Sequence, residues 1–199
     1  LRNAIISYMN SDDFNPETEL TAEQINSQIK AFTGNKDNLA LGKNVFESDA
    51  INAPEWAEEN LVDGLTVSNQ DGNGIYGYSS NADYPLTQTD CNAGFIVDLG
   101  RSTEFNRVVL YPRTDVVAAG TTNGAANFPR TFEVQASDDI SFSTYDVLCS
   151  QTDVTTTIDQ PVTLEFDSVT KRYIRLRVTQ MGMSESGDRG RVQLAEFGV

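Results

Sequence analysis

Between residue 94 and the C-terminus the chain repeatedly alternates apolar and polar residues with a period of two. In "RTFEVQAS" (130–137) Phe132, Val134 and Ala136 alternate with Thr131, Glu133 and Gln135, and in "RYIRLRV" (172–178) Ile174, Leu176 and Val178 alternate with Arg175 and Arg177. A strand sends successive side chains to opposite faces, so this pattern predicts strands with one buried and one wet face, the signature of antiparallel sheets stacked as a sandwich. Four further runs read the same way: "GFIVDL" (94–99), "NRVVLY" (106–111), "VTLEF" (162–166) and "VQLAEFGV" (192–199), all set off by Gly, Asn, Asp or Pro. The same spacing predicts that Arg175 and Arg177 belong to the solvated face of a strand and form no basic patch.

The first 36 residues follow a different rhythm. "LTAEQINSQIKAF" carries Thr21 as a candidate N-cap, Gln24 to complete a capping box and Leu20 with Ile25 as a staple, while Ile25, Ile29 and Phe32 fall on one helical face. The expected organisation is a helical linker or cap over 1–36 followed by an all-β domain over 38–199. Because the chain starts at Leu1, it reads as a piece of a longer protein, in which a targeting segment would lie elsewhere.

Composition narrows the chemistry. The net charge of -15 disfavours nucleic acid and anionic membrane lipid, whose binding needs clustered Lys and Arg. No histidine occurs, which removes the usual serine triad and imidazole metal sites. Carboxylates are abundant, yet nothing selects a pair with opposed environments, so a glycosidase is not indicated. Cys91 and Cys149 either close a disulfide, which implies an oxidising compartment, or remain two free thiols. Trp56, the single tryptophan, is expected to pack rather than to meet ligand.

Two stretches draw attention as sites. "VVLYPRTD" (108–115) runs as a strand into Pro112 and then presents Arg113, with Asp115 two residues on. An Arg offers two parallel hydrogen bonds, well matched to neighbouring hydroxyls, although a simple surface pair with Asp115 is the plainer reading. In "VQLAEF" Glu196 shares the parity of Val192 and Leu194, which would carry a carboxylate into the core and call for a cation or strong donors. A third stretch, "NQDGNG", places Asn69, Asp71 and Asn73 at alternate positions as a calcium loop would, but Ser80 stands where a bidentate Glu belongs, so a polar turn is expected.

Taken in order, "NLALGKNVFESD", "ENLVDGLTVS", "GFIVDLGRSTEFNRVVLYPRTD", "FEVQASDDISF", "RYIRLRV" and "LAEFGV" resemble the F5/8 type C (discoidin-like) domain, and among its members the bacterial family 32 carbohydrate-binding modules. The resemblance covers about 38–199. It implies a jelly-roll β-sandwich, a structural calcium ion (Ca2+) and a ligand site in the loops at one end. The implied metal ligands are Asp63, Ser68, Glu196 and the carbonyls of Asn60 and Leu65. The implied sugar ligands are Arg113 and Asn127, with Asn81 or Asp83 replacing the family's usual histidine, Tyr84 as stacking platform, and Met181 or Met183 replacing a second aromatic. Phe128 either covers the ligand or plugs the core. The expected function is a non-catalytic module that binds a neutral sugar and directs other domains of a secreted bacterial, glycan-active parent chain to substrate. A protein-binding or cell-adhesion domain is the alternative.

Overall fold

The computed structural model describes residues 38–46, 50–51 and 53–199; the helical reading of 1–36 lies outside them. Nine strands follow in order: β1 (Asn44–Phe46), β2 (Tyr78–Ser79), β3 (Tyr84–Pro85), β4 (Ala93–Pro112), β5 (Thr131–Ser137), β6 (Asp146–Gln151), β7 (Val162–Gln180), β8 (Arg189–Gly190) and β9 (Gln193–Gly198). The pairs anticipated as 94–99 with 106–111, and 162–166 with 172–178, are each one long bent strand. β4 and β7 run antiparallel along their length, with register shifts between Asp98 and Thr103 and between Phe105 and Arg107.

Those bends let the two long strands serve both layers of a sandwich. Their first and last halves, from 93 to 98 and from 173 to 180, pair with β1 and β5, and β5 carries β6. The later half of β4 pairs with β9, which carries β2, and the first half of β7 pairs with β4 on its other side. Phe95 of one layer meets Phe197 of the other edge-on at 5.1 Å and Tyr78 at 5.5 Å, so the layers close over one core. The alternating residues fill it as the periodicity predicts: Phe132, Val134, Ala136, Ile174, Leu176 and Val178 are all buried. The edge strand β6, "DVLCSQ", escaped the pattern because its outer residues are polar or half-exposed. Both thiols are free, Cys91 buried and Cys149 half-buried, and burial raises the pKa of each.

β3 and β8 form a separate small hairpin-like pair, with Tyr84 opposite Gly190. It draws the 81–85 loop against the 181–191 loop at one end of the sandwich. Asn127, immediately before the approach to β5, comes to the same place.

Candidate functional site

Pro112 ends β4, as expected, but Arg113 does not turn outward. It is only 6% exposed, and its Nε and Nη2 donate to the two carboxylate oxygens of Asp115 at 3.0 and 2.5 Å. Its Nη1 donates to Gln193 Oε1 at 2.5 Å, and the guanidinium lies 4.8 Å from the centre of the Trp56 ring. Trp56 in turn stacks on Tyr76. The expected rim arginine is therefore a buried brace. The reason is local: an aspartate two residues along satisfies the planar fork, and an indole face covers its open side.

From this brace a chain of hydrogen bonds leads outward. Gln193 Oε1 also accepts from Asn127 Nδ2 at 2.7 Å, while Gln193 Nε2 donates to Ser79 Oγ. Asn127, held at φ 59°, donates from the same Nδ2 to Glu185 Oε2 at 3.1 Å and accepts on Oδ1 from the Arg191 amide. Each terminal group in the chain thus has a fixed orientation, and the Asn127 amide assignment follows from its partners.

The chain opens into a cavity of about 320 Å³. Asp83, Asn127 and Gln193 contribute to its wall, as do Ser184, Glu185, Ser186 and Asp188 and the two arginines Arg189 and Arg191. Arg189 is tied to Asp83 through both the carbonyl, at 2.7 Å, and the carboxylate, at 3.1 Å. That contact holds the Asp83 carboxyl below the usual aspartate range. Arg191 is half-buried, and among the described residues its guanidinium has neither an ion pair nor a hydrogen bond. Its donors remain for a ligand, as do the Nε and Nη1 of Arg189, whose Nη2 alone is tied to Asp83.

The other expected ligand residues distribute unevenly. Asp83 and Asn127 reach the cavity. Asn81 is exposed outside its lining, Met183 is 42% exposed outside it, and Tyr84 is half-buried and packs against the core. Phe128 and Met181 are 3% and 0% exposed and belong to the core, so neither meets ligand. Asn127 and Phe128 diverge because the left-handed turn at Asn127 sends consecutive side chains to opposite sides. No aromatic side chain lines the cavity among the described residues. The stretch "SESGDRGRVQ", which follows Met181 and Met183, supplies most of the cavity wall. The dense run of Ser, Glu, Asp and Arg was the available signal.

A second polar cluster lies at the 60–68 turn. Glu196, 1% exposed, accepts from the Gly64 amide at 3.1 Å, and Asp63 accepts from the Leu65 amide at 2.7 Å. Two carboxylates thus converge on successive amides of one turn. Burial pushes the Asp63 pKa up to about 6, with the Leu65 amide opposing. Ser68 straps the loop by donating to the Tyr76 carbonyl and accepting from the Thr114 amide, and the Asn60 side chain donates to the carbonyls of Pro54 and Gly77. Carboxylate oxygens are the donors a hard oxygen-seeking cation favours. In "NQDGNG", by contrast, Asn69 and Asn73 accept from the amides of Gly74 and Ile75, as polar turn residues do.

Comparison with known proteins agrees with this architecture. Chitosan-binding module 1 of a chitosanase/glucanase from Paenibacillus sp. IK-5 superposes with a TM-score of 0.53 at 22% identity, over 81% of this chain and 96% of that one. A fucose-binding module of Streptococcus pneumoniae gives 0.52 at 22% identity, over 81% and 93%. The Clostridium perfringens module CpGH89CBM32-5, in complex with GalNAc-β-1,3-galactose, gives 0.53 at 16% identity, over 79% and 94%. At these identities the likeness is one of fold. No curated protein matches the sequence. The F5/8 type C domain model matches residues 43–197, and the chain belongs to that family.

Proposed function

We propose that the chain is a non-catalytic carbohydrate-binding module whose sugar site is the loop-end cavity. The observation that carries this reading is the oriented chain from Arg113 through Gln193 and Asn127 to Glu185, on the wall of a cavity that Arg191 also lines. Sugar hydroxyls are both donors and acceptors. Glu185, Asp188 and the Asn127 carbonyl side would accept from them, and Arg191 would donate to a neighbouring pair. Charge-assisted contacts of this kind are about twice as strong as neutral ones. Without an aromatic platform, affinity rests on these polar contacts and is expected in the micromolar to millimolar range. Several similar structures are sugar-binding modules by description, which supports the reading.

Neutral sugars fit the site because Asp83 is already matched by Arg189 and Glu185 already receives Asn127. An amino sugar is the second reading, favoured by three wall carboxylates against two guanidiniums and by the net charge of -15. The two separate by salt: amino-sugar binding would weaken steeply with ionic strength, neutral-sugar binding little. A glycan array probed with the wild-type chain and Arg191→Ala tests the site itself. Retained binding that is indifferent to Arg191→Ala, or an array with no binding at all, sinks the proposal.

The role we assign in the organism is to hold a secreted, bacterial, glycan-active parent chain at its substrate, with neighbouring modules adding avidity. We also propose a structural Ca2+ at the 60–68 turn, held by Asp63, Glu196 and carbonyls of the turn, including those of Asn60 and Leu65, with Ser68 in support. Calcium at a hundred times its Kd would add about 2.7 kcal/mol to stability. Thermal unfolding with Ca2+ against chelator should show that gain in the wild type and lose it in Glu196→Gln; equal melting with and without the ion removes the metal from the account.

A further inference from the structure

A second hollow, of about 390 Å³, lies on the outer face of the layer that contains β1, β4, β7, β5 and β6. Its residues are separate from those of the loop-end cavity. Strand register explains how it arises. Phe95, Val97, Leu176 and Val178 face the core, so Gly94, Ile96, Arg175 and Arg177 face outward. Phe46 stands beside Ile96, Ile96 beside Arg175, and Gly94 beside Arg177. Gly94 therefore leaves a gap in a face otherwise covered by large side chains. Its φ of 128°, and the 1.8 Å that a Cβ would leave to the Leu176 carbonyl oxygen, allow only glycine there.

The walls of this gap are of two kinds. Phe46 and Ile140 are 41% and 45% exposed, and with Ile96 they offer apolar surface. Opposite stand two guanidiniums. Arg175 is fixed 4.1 Å over the Phe142 ring and 5.2 Å over the Tyr145 ring, with its Nε donating to Gln135, and among the described residues its terminal nitrogens have no hydrogen-bond partner. Arg177 Nη1 forms a long ion pair with Glu133 at 3.9 Å, beyond hydrogen-bond length, and Glu133 also accepts from Gln135 Nε2 at 2.6 Å, so one positive charge of the two arginines is in excess over this acid. In a chain of net charge -15, two adjacent arginines line one hollow, with Glu133 the acid paired to them.

We propose that this hollow binds a carboxylated sugar ring, a hexuronate residue of an acidic glycan, as a site distinct from the loop-end cavity. The carboxylate bridges Arg175 and Arg177, the C–H face of the ring lies against Phe46, Ile96 and Ile140, and the Asn92 side chain meets a hydroxyl. The volume falls within the roughly 300–1,000 Å³ of small-molecule sites. That the carboxylate is carried on a sugar, and not on some other body, rests on the carbohydrate-binding reading.

The test is an amide-resonance titration of the whole chain with D-glucuronate, D-glucose and acetate in parallel. Glucuronate is expected to shift the signals of Gly94, Ile96 and Arg177, and glucose and acetate at equal concentration are not. Arg177→Gln should weaken glucuronate at least tenfold, Arg177→Lys should weaken it less, and Arg191→Ala should leave it unchanged. Equal shifts from acetate would reduce the hollow to an anion spot and overturn the proposal. Silence at Gly94 with glucuronate, or indifference to Arg177→Gln in a well-folded variant, would overturn it as well. Neutral-sugar shifts are read separately at Asn127 and Gln193, so failure of the loop-end reading and failure of this one give different spectra.

Discussion

Arg113 leaves the end of β4 and Arg191 enters β9, and Asn127 and Gln193 lie between them. On the β4 side the guanidinium is consumed: Asp115 takes two of its donors, Gln193 a third, and Trp56 covers its face. On the β9 side only the backbone is held, by Asn127 Oδ1, and the residue lines the cavity. The difference teaches that an arginine following a strand is not thereby a ligand residue. What decides is whether an acid stands within reach along the chain to satisfy the fork before a ligand arrives.

If the buried side is structural, its removal should cost stability, and the largest effect belongs to the residues beneath the loops. Phe128→Ala should destabilise by about 3–5 kcal/mol, as truncation of a core aromatic does, and Met181→Ala by about 2–5 kcal/mol. Denaturant unfolding measures both, and a loss under 1 kcal/mol for Phe128→Ala would return that ring to the ligand face. Arg113→Ala strands Asp115 and Gln193 and should cost about 3 kcal/mol, the lower end for breaking a buried pair. Its sugar affinity should fall too, but only through the loosened Gln193 and Asn127. Arg191→Ala should behave in the reverse sense. Stability should change by less than about 0.5 kcal/mol, as at ordinary surface sites. Sugar affinity measured by calorimetry should drop about tenfold, or about 1.4 kcal/mol.

The smallest effect concerns the rim pair of Asp83 and Arg189. Arg189 lowers the Asp83 pKa, so the pair contributes above the unfolded aspartate value of about 3.9 and is lost as pH falls through the lower folded value. A carboxyl NMR titration should place the Asp83 midpoint below 3.9, and Arg189→Ala should move it back up. An unmoved midpoint would show the pair to be absent in solution.

Much of the fold was legible because burial imposes a period of two on strands, and Phe132 to Ala136 and Ile174 to Val178 display it without interruption. The bends inside β4 and β7 were not legible, since register shifts depend on partners distant in sequence. The 60–68 turn was partly legible, because a carboxylate at an inward position of β9 breaks the apolar pattern. At the loop end, Asp83 and Asn127 were found through family resemblance, whereas Phe128 and Met181 were misplaced because an apolar side chain in a loop carries no sign of which way it faces. Arg191 was missed for a related reason: the sequence offers Asp115 as a surface partner of Arg113, but only the structure shows that pair buried and Asp83 taken up by Arg189.

The most direct test follows the arginine side chains themselves during titration with a sugar selected on the array, using the Nε–H resonances of Arg113 and Arg191. Arg191 is predicted to shift in a saturable manner while Arg113, locked to Asp115, stays essentially still. A saturable shift at Arg113 with Arg191 unmoved would contradict the account and restore the β4 arginine as the ligand residue.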